Sequence, residues 1–130
     1  MHYNDISYSL DHGIGRITLN KPEKMNALSW GSWAELENAI AAADADDSVK
    51  VVLLTGAGRG FCAGTDLTTG TKESDWPARP LGGRPGMMRS RYLGTANLYH
   101  CGKPTIAAVN GASVGAGFSL AMACDIRIAS

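Results

Sequence analysis

Two short apolar runs constrain the fold of this chain more than any other feature. Val49-Lys50-Val51-Val52-Leu53-Leu54-Thr55-Gly56 is a β-branched and nearly continuous apolar stretch. It reads as a strand buried on both faces, the kind that α/β sheets contain. Thr105-Ile106-Ala107-Ala108-Val109 reads as a second buried strand. Each run leads directly into glycine-rich chain, Gly56 to Gly64 in the first case and Asn110 to Gly117 in the second.

The rest of the pattern is α/β as well. Ile6 to Leu10 and Arg16 to Asn20 alternate with a period of two, which predicts a hairpin turning at Gly13-Ile14-Gly15 and ended by Pro22. Ser29 is placed to cap a helix whose apolar stripe is Trp30, Trp33, Leu36, Ile40 and Ala43. Asp44, Asp46 and Asp47 oppose the helix C-terminal dipole, so that helix is expected to stop near Asp44. Residues 68 to 86 are rich in Thr, Gly and Pro and read as a long loop or lid. A helix is expected over Met87 to His100, stopped by Cys101-Gly102-Lys103-Pro104. Phe118 to Ala123 reads as a helix that follows Gly115-Ala116-Gly117. Asp125 to Ala129 reads as a last strand, inside which the sequence ends. Asp66-Leu67 could open a short helical turn.

Composition excludes several classes. Hydrophobic residues make up 45% and charged residues 18%, a globular balance. Lys plus Arg equals Asp plus Glu at 12 each, so no global basic field draws in nucleic acid or a membrane surface. No signal peptide and no apolar run of about 20 residues is visible, so the expectation is a cytoplasmic protein. Cys62, Cys101 and Cys124 lie far apart with no metal-ligand spacing, which indicates neither a disulfide framework nor a metal site. Gly56-Ala57-Gly58-Arg59-Gly60 hints at a dinucleotide loop, but the third glycine of that fingerprint would fall at Phe61.

The chemistry is expected where the two buried strands run into glycine-rich turns. Small residues let a ligand approach the backbone. The first N–H groups of a helix lack internal partners and carry partial positive charge. Two such groups converging on one point would stabilise an oxyanion, such as a thioester carbonyl turning into an enolate.

The same residues resemble a known family. Gly60-Phe61-Cys62-Ala63-Gly64-Thr65-Asp66-Leu67 is similar to the first oxyanion segment of the crotonase (enoyl-CoA hydratase/isomerase) superfamily. Ala108-Val109-Asn110-Gly111, Gly115-Ala116-Gly117 and Leu120 to Asp125 resemble its second. Asn20-Lys21-Pro22 with Met25-Asn26-Ala27-Leu28 resembles an early segment near coenzyme A. The resemblance implies an α/β crotonase-type spiral of β-β-α units, apparently truncated at the C-terminus, with residues 1–130 as the N-terminal part of a single domain. It also implies an acyl-CoA substrate, coenzyme A being part of that substrate and no separate cofactor. The intact protein is expected to be a homotrimer or homohexamer. The backbone N–H groups of Thr65 and Ala116 would form the oxyanion hole, Ala116 standing where the family usually has glycine. Lys24, Met25, Ala27, Ala63, Asp66 and Leu67 would line the coenzyme A path, and Lys24 could meet a phosphate.

One departure limits the reaction. Ser119 stands where hydratases of the family carry their first glutamate, and the second family carboxylate would fall beyond Ser130. A hydroxyl is a poor general base near neutral pH. An isomerase-like or other acyl-CoA reaction is therefore expected ahead of a two-glutamate hydration. The alternative is a catalytically degenerate homologue that binds acyl-CoA or a partner chain. Glu73 and Asp75 read as solvated loop charges, Cys62 as a packing residue and His100 as a helix-end residue.

Overall fold

The structure, a computed structural model, describes residues 2–68 and 94–130. The loop or lid expected from 68 to 86 lies outside the described residues except for Thr68, and so do Glu73, Asp75 and the first part of the helix expected from Met87. The described elements are β1 (Ile6–Asp11), β2 (Ile14–Leu19), α1 (Trp30–Ala45), β3 (Val51–Gly56), β4 (Thr105–Val109), α2 (Ala116–Ala123) and β5 (Ile126–Ala129). Residues 94–99 are helical.

The hairpin forms, but its turn differs from expectation. Asp11 pairs with Ile14, so the loop is His12-Gly13 alone. Both residues have positive φ, 49° and 83°, as a turn matched to the strand twist requires. Ile14 and Gly15 already belong to β2.

Helix α1 begins where its cap allows. Ser29 Oγ accepts the Ser32 amide at 3.1 Å, and Ser32 Oγ accepts the Ser29 amide at 3.1 Å. Both hydroxyls also donate to Asp5 Oδ2, at 2.8 and 2.5 Å. The Lys21 ammonium lies 3.2 Å from the same oxygen. Burial raises the Asp5 carboxyl, but the bonds from Ser32, Ser29 and Lys21 outweigh it and leave it below its ordinary value. This cluster ties the start of α1 to the hairpin. The buried stripe is Trp33, Leu36, Ala39, Ile40 and Ala43, and the helix ends at Ala45, just past the expected stop.

All five strands form one sheet in sequence order, β1-β2-β3-β4-β5. β1 is antiparallel to β2, and every later pair is parallel. Ile17, Leu19, Val52, Leu54 and Ala107 join the α1 stripe in the core. β3 was expected to be buried on both faces. Val52, Leu54 and Gly56 are buried, whereas Val51, Leu53 and Thr55 are only half-buried among the described residues. β4 is held to the start of β5 by a reciprocal lock: Asp125 Oδ2 accepts the Thr105 amide and hydroxyl at 2.8 Å each, and Thr105 Oγ1 accepts the Asp125 amide at 2.9 Å. No described helix is long and apolar enough to cross a membrane.

The sheet register has a direct consequence. Leu19 pairs with Gly56, and Thr55 pairs with Ala108. The parallel strands β2, β3 and β4 therefore end level with one another. Residues 20–28, 57–66 and 110–117 all leave from the same sheet edge, where open α/β sheets place their ligands.

Candidate active site

The first of these three segments bends sharply. Pro22–Lys24 forms one 3-10 turn, and Met25 and Asn26 follow with φ of 51° and 58°. Two successive non-glycine residues in that region cost about 1 kcal/mol or more each and must be held in place. Asn26 does much of the holding. It is 1% exposed, its Nδ2 donates to Ala57 O and Gly60 O at 2.9 Å each, and its Oδ1 accepts the Lys21 amide at 2.9 Å.

This bend lays segment 25–28 along segment 63–66. Ala63 N donates to Met25 O at 2.9 Å, Leu28 N to Gly64 O at 2.7 Å, and Asp66 N to Leu28 O at 2.9 Å. Leu28 and Thr65 thus pair as an isolated parallel bridge. Lys24, Met25 and Ala27 come together with Ala63 and Asp66, far apart in sequence. Leu67 is 77% exposed.

The third segment closes on the second from its other neighbour. Ala112 O accepts the amides of Phe61 and Cys62 at 3.0 and 3.1 Å, and Val114 N donates to Cys62 O at 2.9 Å. The buried Cys62 thiol donates to Asn26 O at 3.2 Å and accepts the Gly64 amide at 3.4 Å. Burial pushes that thiol up from its ordinary value, which suits a packing residue and not a nucleophile.

The two amides singled out in the sequence share one property. Neither Thr65 N nor Ala116 N donates to any group among the described residues. The reasons differ. Ala116 is the first residue of α2, and its N–H has no intrahelical acceptor. The short helical turn expected to open at Asp66-Leu67 would continue beyond Thr68, outside the described residues. Thr65 N stays without a partner among the described residues because neighbouring amides alternate sides along extended chain. The bridge to Leu28 uses Gly64 O and Asp66 N and leaves the Thr65 amide facing away. Gly64, with φ of 97°, keeps the adjoining space open. A Cβ on it would stand 3.5 Å from Ala116 N and 2.9 Å from Val114 O.

Asp66 is buried and fully engaged. Its Oδ1 accepts the Thr68 amide and hydroxyl at 2.8 and 2.6 Å, and Lys24 Nζ lies 3.2 Å from Oδ2. The Thr68 bonds, then Lys24, hold the carboxyl well below the usual carboxylate range. Thr68 was missed in the sequence, although Asp followed two residues later by Thr is a recognisable turn pattern. Lys24 keeps 44% of its side chain exposed beyond this pair. Ser119, exposed on α2, donates its hydroxyl to Gly115 O one turn back at 3.3 Å. No cluster of three or more His, Cys, Asp or Glu that could hold a metal occurs among the described residues.

Comparison with known proteins bears on this edge and the sheet behind it. The family model described as Enoyl-CoA hydratase/isomerase matches residues 9–130. The protein named probable enoyl-CoA hydratase echA14 from Mycobacterium tuberculosis is 43% identical over 128 residues, covering 98% of this chain and 47% of that protein. The 1,2-epoxyphenylacetyl-CoA isomerase of Escherichia coli is 39% identical over 123 residues, covering 93% of this chain and 45% of that protein. The crystal structure of an enoyl-CoA hydratase/isomerase from Xanthobacter autotrophicus Py2 matches with a TM-score of 0.89 at 39% identity, over 98% of this chain and 46% of that one. The fold is thus that of the crotonase-type acyl-CoA enzymes. The chain belongs to the enoyl-CoA hydratase/isomerase family. It spans about half the length of the curated relatives it matches.

Proposed function

We propose that the full-length protein acts on an acyl-CoA thioester, and that the amides of Thr65 and Ala116 donate to the thioester oxygen as it gains enolate charge. The observation that carries this reading is the pair of N–H groups unengaged among the described residues, on segments bonded to each other through Cys62 and Val114, with Gly64 leaving room in front of Ala116. Such donors need no reorganisation when charge develops, which is what makes them effective. Lys24, Met25, Ala27, Ala63, Asp66 and Leu67 line the coenzyme A path in this reading, with Lys24 still exposed enough to meet a phosphate. The Asp66 carboxylate offsets that ammonium, so the phosphate must compete for it.

The reaction proposed is isomerase-like, or another rearrangement of an acyl-CoA, ahead of a two-glutamate hydration. Ser119 supports this, since its hydroxyl is turned back onto the helix and has no carboxylate chemistry to offer. A homotrimer or homohexamer in the cytoplasm is the setting proposed for it.

The test is Ala116→Pro in the full-length protein. Proline is well tolerated at the first position of a helix, so the substitution removes the donor with little folding cost. Turnover of enoyl-CoA should fall by roughly 10²–10³-fold. Turnover within tenfold of the unaltered protein refutes the assignment.

A further inference from the structure

We infer that Asn26 and Asn110 act together as a clamp on the Gly60 carbonyl, and that both are positioning residues for the two donor amides. The inference rests on the thioester reading above and deepens it. Asn26 belongs to the segment after β2, and Asn110 is the first residue after β4. Their side-chain amides meet on the segment between them. Asn26 Nδ2 donates to Gly60 O at 2.9 Å, and Asn110 Nδ2 reaches the same oxygen at 3.4 Å. Asn26 also takes Ala57 O at 2.9 Å, and Asn110 takes Gly58 O at 3.0 Å. Asn110 Oδ1 accepts the Gly56 amide at 3.1 Å and the Thr55 hydroxyl at 3.3 Å.

The loop after β3 therefore has the carbonyls of Ala57, Gly58 and Gly60 and the amide of Gly56 held by two side chains from neighbouring segments. That loop runs straight through Phe61 and Cys62 to Gly64 and Thr65. Asn110 in turn opens the stretch that carries Ala116. The clamp thus fixes the approach to one donor and the departure toward the other. Only an amide on a short stem offers two donors and an acceptor at this reach; aspartate lacks the donors, and glutamine is one methylene longer. Asn26 is too buried to touch a ligand itself, so its effect must pass through the backbone it holds.

A residue that merely stabilises the fold would weaken every ligand alike, whereas this clamp should matter only for ligands that use the donors. The probes are butyryl-CoA and S-butyl-CoA, a thioether lacking the carbonyl oxygen, titrated calorimetrically into the full-length protein. The unaltered protein should prefer the thioester by about tenfold, the size of two ordinary hydrogen bonds. Asn26→Ala and Asn110→Ala should reduce that preference to within about twofold of unity, with thioether affinity changed by less than about threefold. If the alanine variants do not fold, Asn110→Asp carries the same test, because it keeps the size and the Oδ1 acceptor but loses both donors. Variants that retain the thioester preference, or that lose both ligands in parallel, overturn the clamp while leaving the donor reading intact. An unaltered protein with no preference for the thioester overturns the donor reading, and the clamp with it.

Discussion

Gly117→Ala measures how much the spacing between the segments of Cys62 and Ala116 matters. A Cβ at Gly117 would lie 2.3 Å from the Cys62 carbonyl oxygen and 2.6 Å from Cys62 Cβ. Ordinary contact begins near 3.5 Å, so one of the two segments must retreat by about 1 Å. The obstruction is backbone, and its carbonyl already accepts the Val114 amide, so it cannot swing aside as a long side chain could. Overpacking of this kind costs about 1–3 kcal/mol. Alanine in a helix returns up to about 1 kcal/mol. With the full return the net loss is about 0–2 kcal/mol, or a fall in Tm of up to roughly 6 °C. The functional loss should be larger in proportion, because a misplacement of about 1 Å can reduce rate by about 10²-fold. Gly31→Ala in α1 is the matched control. Its Cβ would meet only Ser29 Oγ at 3.6 Å and Asp5 Oδ2 at 3.8 Å, so it should stabilise slightly and leave turnover alone. Both variants are read by thermal unfolding and enoyl-CoA turnover in the full-length protein. If Gly117→Ala matches Gly31→Ala in both assays, the close approach of Cys62 and Gly117 does not set the site.

Three further outcomes follow from the same contacts. Asp66 is held below its ordinary value, so its contribution is present above about pH 4 and is lost as pH falls through that range toward the folded value. Urea midpoints of the unaltered protein should therefore drop more between pH 5 and pH 3 than those of Asp66→Asn, and parallel pH slopes would contradict this. Ser29→Ala removes the α1 cap and one bond to Asp5, and should cost about 1–2 kcal/mol in urea unfolding. Ser119→Ala deletes only an exposed hydroxyl bonded within its own helix, so turnover should stay within about threefold; a larger loss would give the serine a chemical role.

Much of this was legible in the residues themselves. The β3 and β4 runs, the α1 stripe and the Ser29 cap follow from patterning and chain stereochemistry, and the structure places each within a residue or two. The free Ala116 amide is likewise a property of any helix start. What local patterns could not supply was convergence. The hairpin loop begins one residue earlier than expected, at His12, because a two-residue turn more often announces itself by Asn or Asp before its glycine. The Asp66 amide bonds to Leu28 O, some forty positions away in the chain, a contact that no local pattern announces. Asn26 and Asn110 were read as a motif residue and a turn residue, since nothing local reveals that their amides meet on one carbonyl.

The parallel register of β3 and β4 has an implication for how members of such a family can differ. These two strands are direct neighbours, although the connection between them runs from residue 57 to residue 104. The start of that connection is fastened near Gly60 and Thr65, and β4 is fastened separately at Thr105. Lengthening or shortening the stretch in between changes closure entropy only slowly, by about 0.6 kcal/mol per doubling. Such a change leaves the bonds that hold Gly60 and Thr105 as they are. The two ends of the connection are tied down independently, so its length can evolve while they stand still.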